Sequence, residues 1–203
     1  MVKSIVITGG PGAGKTAGIT YVSSQLPRQY GVHALTVPEA ARIVLHGNEI
    51  SWSEAHARDQ QHSLLALQRP ITELQQYLRG LFVRLASEFG REPCVLLFDR
   101  GELDGFAYND PQAFELLLST LGLSVKSILQ SYDAVIHMRP AARGIETSIV
   151  DSQWRSPDSS LTMDLDARIE RAWQQHPRRV VIGETVEWER KRQMLTDTIV
   201  RLM

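Results

Sequence analysis

The stretch Gly9-Gly10-Pro11-Gly12-Ala13-Gly14-Lys15-Thr16 fits the pattern G-x-x-x-x-G-K-[ST] at every required position. It follows a β-branched run, residues 4–8, which predicts a buried strand. It precedes a segment in which Ile19, Val22 and Leu26 share one helical face. A glycine-rich turn between a strand and a helix is the alternative interpretation. The strand–loop–helix setting favours a loop that binds phosphate.

The residue types of this loop suit a polyphosphate. Glycines let the backbone approach the phosphate oxygens without a Cβ in the way, and successive N–H groups form an anion nest at a helix N-terminus. Lys15 supplies a mobile positive charge for the β- and γ-phosphates, and the Thr16 hydroxyl is placed to ligate Mg²⁺. We expect ATP as the nucleotide; the chain has no Asn/Thr-Lys-x-Asp motif, which disfavours an ordinary GTPase but leaves GTP open. The residues predicted to bind the nucleotide are Gly9, Gly10, Pro11, Gly12, Ala13, Gly14, Lys15, Thr16 and Ala17.

Composition excludes several classes of protein. The 203 residues carry a net charge of −1 with acids and bases interspersed, which gives no support for binding nucleic acid or a membrane surface. No run of 18 apolar residues appears. The single cysteine, Cys94, excludes a disulfide scaffold and a cysteine zinc site. Residues 1–3 lead directly into the first strand without a signal peptide, so we expect a cytoplasmic protein with one domain over residues 1–203.

Strands alternate with helices along the chain, which predicts an α/β fold: a doubly wound, five-stranded parallel sheet flanked by helices. The predicted strands are residues 4–8, 31–37, 94–99, 134–138 and 179–182. Pro70 should kink or break a long helical region that begins near residue 53. Residues 139–162 are polar and aperiodic, which predicts a lid. Ligands of such sheets lie beyond the carboxyl ends of the strands.

Two residues at the end of the third strand are candidates for chemistry. Asp99 is predicted to hold Mg²⁺ with Thr16, through water or through the hydroxyl, although it could instead cap the following turn. Arg100 follows where a hydrolytic motor usually has a glutamate that polarises water. An arginine at this position favours a small-molecule kinase, in which it holds a phosphate or the acceptor.

Glu39 follows the second strand and is a candidate general base for an acceptor hydroxyl. The alternative is a capping box in which Thr36 caps the next helix and Glu39 reaches back. Arg42 lies three residues on and could pair with Glu39 or contact a phosphate.

Arginines in the predicted lid could deliver positive charge to the moving phosphoryl group. Arg143 and Arg155 are the leading candidates there, ahead of Arg139. Gln68 could bind an acceptor, but a glutamine on a helix is more often exposed. Trp188 is predicted to pack in the last helix or to wall the nucleotide base.

Several blocks together resemble a known family: the Gly-Gly-Pro-x-x-Gly-Lys-Thr loop, residues 38–42, and Asp99-Arg100-Gly101-x-x-Asp104-Gly105-x-Ala107-Tyr108. They are similar to the single-domain P-loop ATPase/kinase family of the AAA-type group, which is related to the nicotinamide-riboside kinase domain of NAD-biosynthesis regulators. The resemblance implies nucleotide binding with Mg²⁺ and phosphoryl transfer. Family members tend to carry an Arg-x-Glu pattern in the lid, whereas Arg155 here precedes Ser156-Pro157.

The leading hypothesis is therefore a kinase-like enzyme that moves the γ-phosphoryl group of Mg·ATP to a small hydroxyl acceptor of the nucleoside class. Lys15, Glu39, Arg100, Arg143 and Arg155 are its predicted catalytic residues. Its predicted partners are a nucleotide and a small-molecule acceptor, with no nucleic acid. The alternative is an ATP- or GTP-binding regulatory switch with slow hydrolysis.

Overall fold

Five parallel strands form the central sheet of the protein. The structure is a computed structural model that describes residues 2–46, 60–89, 92–140, 159–183 and 187–203. The strands lie in the order β2-β3-β1-β4-β5, which confirms the predicted doubly wound topology. Their bounds are β1 Val2–Thr8, β2 His33–Val37, β3 Cys94–Asp99, β4 Ala134–Met138 and β5 Arg179–Ile182.

Helices connect the strands and cover both faces of the sheet. Two of them begin with side-chain caps: Asp110 accepts from the Ala113 N–H, and Ser124 forms a capping box with Ser127. The helices are α1 Lys15–Gln29, α2 Ala40–His46, α3 Gln60–Phe89, a 3-10 helix at Glu102–Ala107, α4 Pro111–Thr120, α5 Val125–Gln130, α6 Ser159–Ala172 and α7 Trp188–Leu202. Within the described ranges, every helix is too short or too polar to traverse a lipid bilayer.

Side chains alternate along the strands and form two apolar layers. From β1, Val6 enters the layer that also contains Phe98 and Trp173. Ile5 and Ile7 point to the opposite face, into a layer with residues of α1 and α7. Because both faces of the sheet are covered, the central strands are mostly apolar, as expected for parallel sheets.

Three details differ from the predictions. Helix α3 continues through Pro70, so the predicted break is absent there, while the alternative of a kink stays a prediction. Residues 159–162, which were predicted to be aperiodic, form the first turn of helix α6, while the lid itself stays a prediction. Thr36 lies within β2 and helix α2 begins only at Ala40, so the predicted capping box between Thr36 and Glu39 does not form.

The carboxyl ends of the central strands meet at one edge of the sheet. Asp99 pairs with Ile7 and Thr8 pairs with His137, which aligns the ends of β3, β1 and β4. The Arg100 N–H then donates to the Ile7 carbonyl at 3.1 Å, extending the ladder by one residue. This edge is where the polar side chains described below converge.

Candidate functional site

The loop between β1 and α1 has a backbone that requires glycine. Gly9 has a φ of 137°, and a Cβ on it would lie 2.0 Å from the Met138 carbonyl oxygen. Gly14 has a φ of 84°, and a Cβ on it would lie 2.6 Å from the Trp188 ring. Trp188, at the start of α7, therefore covers the loop directly before Lys15.

Lys15 lies beneath this loop and is buried. Its Nζ donates to the carbonyl oxygens of Gly9 and Gly10, each at 2.9 Å. Burial, and secondly the charge of Arg100, lowers the pKa of Lys15 to about 8, although Asp99 and Glu39 act in the opposite direction. The amine is thus mostly charged at pH 7 and loses its charge as the pH rises through about 8.

The affinity for Mg·ATP should therefore fall about tenfold between pH 7 and pH 9. With a pKa of about 8, Lys15 is about nine-tenths neutral at pH 9, and only its charged form attracts phosphate. Phosphate charge raises the pKa of the bound lysine, so binding takes up a proton above pH 8. Titration calorimetry at pH 7, 8 and 9, in buffers of different ionisation enthalpy, measures both effects. In a Lys15→Arg control the guanidinium stays charged, so its affinity should vary less; equal wild-type affinity at pH 7 and 9 would contradict the argument.

Thr16 and Asp99 lie together as predicted for a cation site. The Thr16 hydroxyl donates to Asp99 Oδ2 at 2.6 Å. Asp99 Oδ1 is buried and has no hydrogen-bond partner within the described part of the chain. Burial, and secondly the charge of Glu39, raises the pKa of Asp99. An unpaired buried carboxylate oxygen beside a hydroxyl suits Mg²⁺, which prefers oxygen ligands and retains water.

Arg100 forms hydrogen bonds both with the phosphate-binding loop and with Glu39, which follows β2. Its backbone has a φ of 74°, an uncommon conformation for a residue other than glycine. Its Nε donates to Glu39 Oε1 at 2.7 Å, and its Nη1 lies 3.0 Å from Asp104 Oδ2 and 3.3 Å from the Gly9 carbonyl oxygen. The structure thus brings three predicted site residues, Lys15, Glu39 and Arg100, into one cluster.

Asp104 is a member of the cluster to which the sequence interpretation gave no role. Its Oδ1 accepts from the Thr8 hydroxyl at 2.6 Å and from Trp173 Nε1 at 2.7 Å, while its Oδ2 accepts from Arg100. With three donors on its carboxylate, Asp104 holds Arg100 in place and is poorly suited to accept a substrate proton. The sequence signal that could have identified Asp104 is its place five residues after Asp99, the aspartate that ends β3.

A cleft opens beside Arg100, on the side of α3. Its cavity volume is about 30 Å³, and the space between its walls is about 420 Å³ when open solvent is included. Gln68 lines it and is 6% exposed, so the interpretation of Gln68 as a surface residue was wrong. The lining residues are Glu39, Ala41, Gln68, Ile71, Thr72, Gln75, Arg100, Gly101, Glu102, Asp104, Gly105 and Tyr108. The cleft therefore lies next to Arg100, which contacts the loop.

Arg139, one of the predicted lid arginines, is not brought into this cluster. Arg139 binds Glu170 through its Nε and Nη2, at 2.9–3.2 Å. Arg143 and Arg155 lie outside the described residues, so their roles stay predictions.

A strand–loop–helix cradle with a buried lysine, and a threonine paired with a strand-ending aspartate, defines the class of P-loop nucleotide-binding proteins. A family model described as "AAA domain" matches residues 4–191, and the chain belongs to this family. Nucleotide binding, typically with Mg²⁺, follows from that membership.

Solved structures agree on the fold. One described as "Crystal structure of NadR protein in complex with NR" is similar, with a TM-score of 0.60 and 14% sequence identity. The match covers 99% of this chain and 51% of that chain, so the protein spans about half the length of this relative. No curated protein matches the sequence.

Proposed function

We propose that the protein is a cytoplasmic, Mg·ATP-dependent small-molecule kinase that transfers the γ-phosphoryl group to a hydroxyl of a nucleoside-like acceptor. The observation that carries the proposal is the cleft, which is lined by Arg100 and by its partner Glu39, while Arg100 also contacts the phosphate-binding loop. A protein that only switches between nucleotide states needs no second cleft at the phosphate site. A phosphotransferase needs one for its acceptor.

The residues of the cleft suit a polyhydroxylated acceptor. Gln68, Thr72 and Gln75 all lie on α3, are buried, and line the cleft. Gln75 Nε2 donates to the Arg100 carbonyl oxygen at 2.7 Å and so fixes one wall. Tyr108 lines the same cleft. These groups can exchange hydrogen bonds with ribose hydroxyls without placing a fixed charge against them.

The transfer then proceeds with few covalent roles for the protein. The acceptor oxygen forms a bond to the γ-phosphorus, the bond from that phosphorus to the β–γ bridging oxygen breaks, and ADP leaves. Glu39 takes the acceptor proton, while Lys15 and Arg100 stabilise negative charge on the phosphoryl oxygens. Thr16 and Asp99 would hold Mg²⁺, which neutralises charge on the β- and γ-phosphates when bound.

A similar protein indicates which acceptor to test first. The similar NadR protein was solved with NR, which makes nicotinamide riboside a first candidate among nucleosides. With Mg·ATP or Mg·GTP, we expect ADP or GDP release to depend on one nucleoside, and the phosphorylated nucleoside to form in equal amount. The matched control is the 5′-deoxy analogue of the active nucleoside, which has no primary hydroxyl. Slow nucleotide hydrolysis at one rate with every nucleoside, and no phosphorylated product, would instead support the regulatory switch.

A further inference from the structure

The peptide group between Gly9 and Gly10 is held from both sides. Its carbonyl, on Gly9, accepts from Lys15 Nζ at 2.9 Å and from Arg100 Nη1 at 3.3 Å. Its N–H, on Gly10, donates to Asp166 Oδ1 at 2.6 Å. The carbonyl and N–H of a trans peptide point in opposite directions, so Asp166 lies on the side of this peptide away from Lys15 and Arg100.

A peptide between two glycines can rotate at little steric cost, because neither residue has a Cβ. Rotation here would turn the Gly9 carbonyl away from Lys15 and Arg100 and would change the direction of the loop N–H groups. The bond from Gly10 to Asp166 is buried and charge-assisted, the stronger kind of hydrogen bond. It therefore opposes this rotation more than a contact with water would.

Helix α6 is packed closely enough to keep Asp166 in this position. A Cβ on Gly10 would lie 2.9 Å from both Asp166 Cβ and Asp166 Oδ1. The middle of α6 thus rests on the loop. Just beyond the C-terminal end of α6, Trp173 donates to Asp104, the residue that holds Arg100. The helix and the residue that follows it contact both parts of the candidate site.

The surroundings of Asp166 favour this role over a cation site. His137 Nε2 lies 3.3 Å from Asp166 Oδ1, and ligand atoms of His137, Asp166 and Glu170 lie within 4.8 Å of one another. Glu170, however, already binds the guanidinium groups of Arg139 and Arg179. Two arginines balance the two carboxylates, so a divalent cation would add uncompensated positive charge.

We propose that Asp166 is a positioning residue for the phosphate-binding loop: by holding the Gly10 N–H it keeps the Gly9–Gly10 peptide in the orientation that binds nucleotide phosphates. The role requires nucleotide binding alone and not phosphoryl transfer. Its test is therefore independent of the kinase proposal.

The test is the affinity of the full chain for Mg·ATP and Mg·ADP, measured by titration calorimetry well below the unfolding temperature. Asp166→Ala removes the acceptor, so a fraction of molecules should hold the peptide rotated, and both dissociation constants should rise about tenfold. Asp166→Asn keeps an acceptor oxygen, and its dissociation constants should stay within about threefold of the wild-type values.

Glu170→Ala is the matched control. It removes a carboxylate one helical turn further along α6, with two arginine partners, and the described contacts of Glu170 do not include the loop. It should lower the melting temperature but change nucleotide affinity less than about twofold. Unchanged or tighter nucleotide binding by Asp166→Ala would overturn the proposal. An equal loss of affinity in Glu170→Ala would overturn it too, since the effect would then be one of general stability.

Discussion

Replacing Lys15 with alanine should raise the dissociation constant for Mg·ATP by about 10²–10³-fold and reduce phosphoryl transfer below detection. Lys15 is buried, and its Nζ donates hydrogen bonds to two backbone carbonyl oxygens of the loop. Truncating one member of a buried, hydrogen-bonded charge pair typically costs about 2–5 kcal/mol, and each 1.4 kcal/mol is tenfold in affinity. Calorimetry measures the binding change, and labelled γ-phosphate measures the transfer.

Two controls for Lys15→Ala distinguish the loss of positive charge from a loss of folding stability. Since protonating Lys15 in the interior is unfavourable, its removal should leave the melting temperature within a few degrees of the wild-type value. Lys15→Arg keeps a positive charge and should retain part of the affinity. If Lys15→Ala still phosphorylates an acceptor at the wild-type rate, both the phosphate site and the proposed reaction are wrong.

Replacing Glu39 with glutamine should lower the rate of phosphoryl transfer about 10²–10³-fold and leave Mg·ATP affinity within about twofold. Glu39 Oε1 accepts a hydrogen bond from Arg100 Nε at 2.7 Å, and the amide oxygen of a glutamine can accept the same hydrogen bond. Arg100 should therefore stay in place while the side chain loses its capacity to take the acceptor proton. General bases contribute about 10²–10⁴-fold, which sets the expected size.

Glu39→Ala provides the comparison, because it removes the base and also releases Arg100. Its transfer rate should be lower still, and its affinity for nucleotide should change as well. Single-turnover kinetics with saturating Mg·ATP separate the chemical step from binding. Wild-type transfer by Glu39→Gln would show that Glu39 only positions Arg100 and that another group, or no group, accepts the proton.

Local sequence signals were sufficient for the sheet and the loop. A strand such as Cys94–Asp99 is apolar at every position but its last, and it is buried throughout. The loop is a contiguous motif, so its residues could be named without knowledge of the fold. Asp99 could be predicted as a neighbour of the loop for a similar reason. Parallel strands bring their carboxyl ends to one edge of the sheet, and a carboxylate at that point lies near the loop.

The rest of the candidate site depends on contacts between distant segments. Asp166 lies 156 positions from Gly10 in the chain, and no local pattern relates the two. The pairing of Arg100 with Glu39 spans 61 positions and depends on a left-handed backbone at Arg100, which propensity does not predict for arginine. Gln68 is buried because α3 packs against the 3-10 helix, whereas its residue type alone suggested an exposed side chain.

The buried oxygen of Asp99 has a consequence for the lifetime of the protein. A raised pKa means that the folded chain holds this proton more tightly than the unfolded chain does, so ionisation of Asp99 at neutral pH costs folding free energy. Mg²⁺ bound with nucleotide at the proposed site of Thr16 and Asp99 would supply the missing positive partner, so binding to the folded chain would return that free energy. Proteases that cleave transiently opened molecules would then remove copies without nucleotide first, and cellular abundance would follow the supply of the nucleotide.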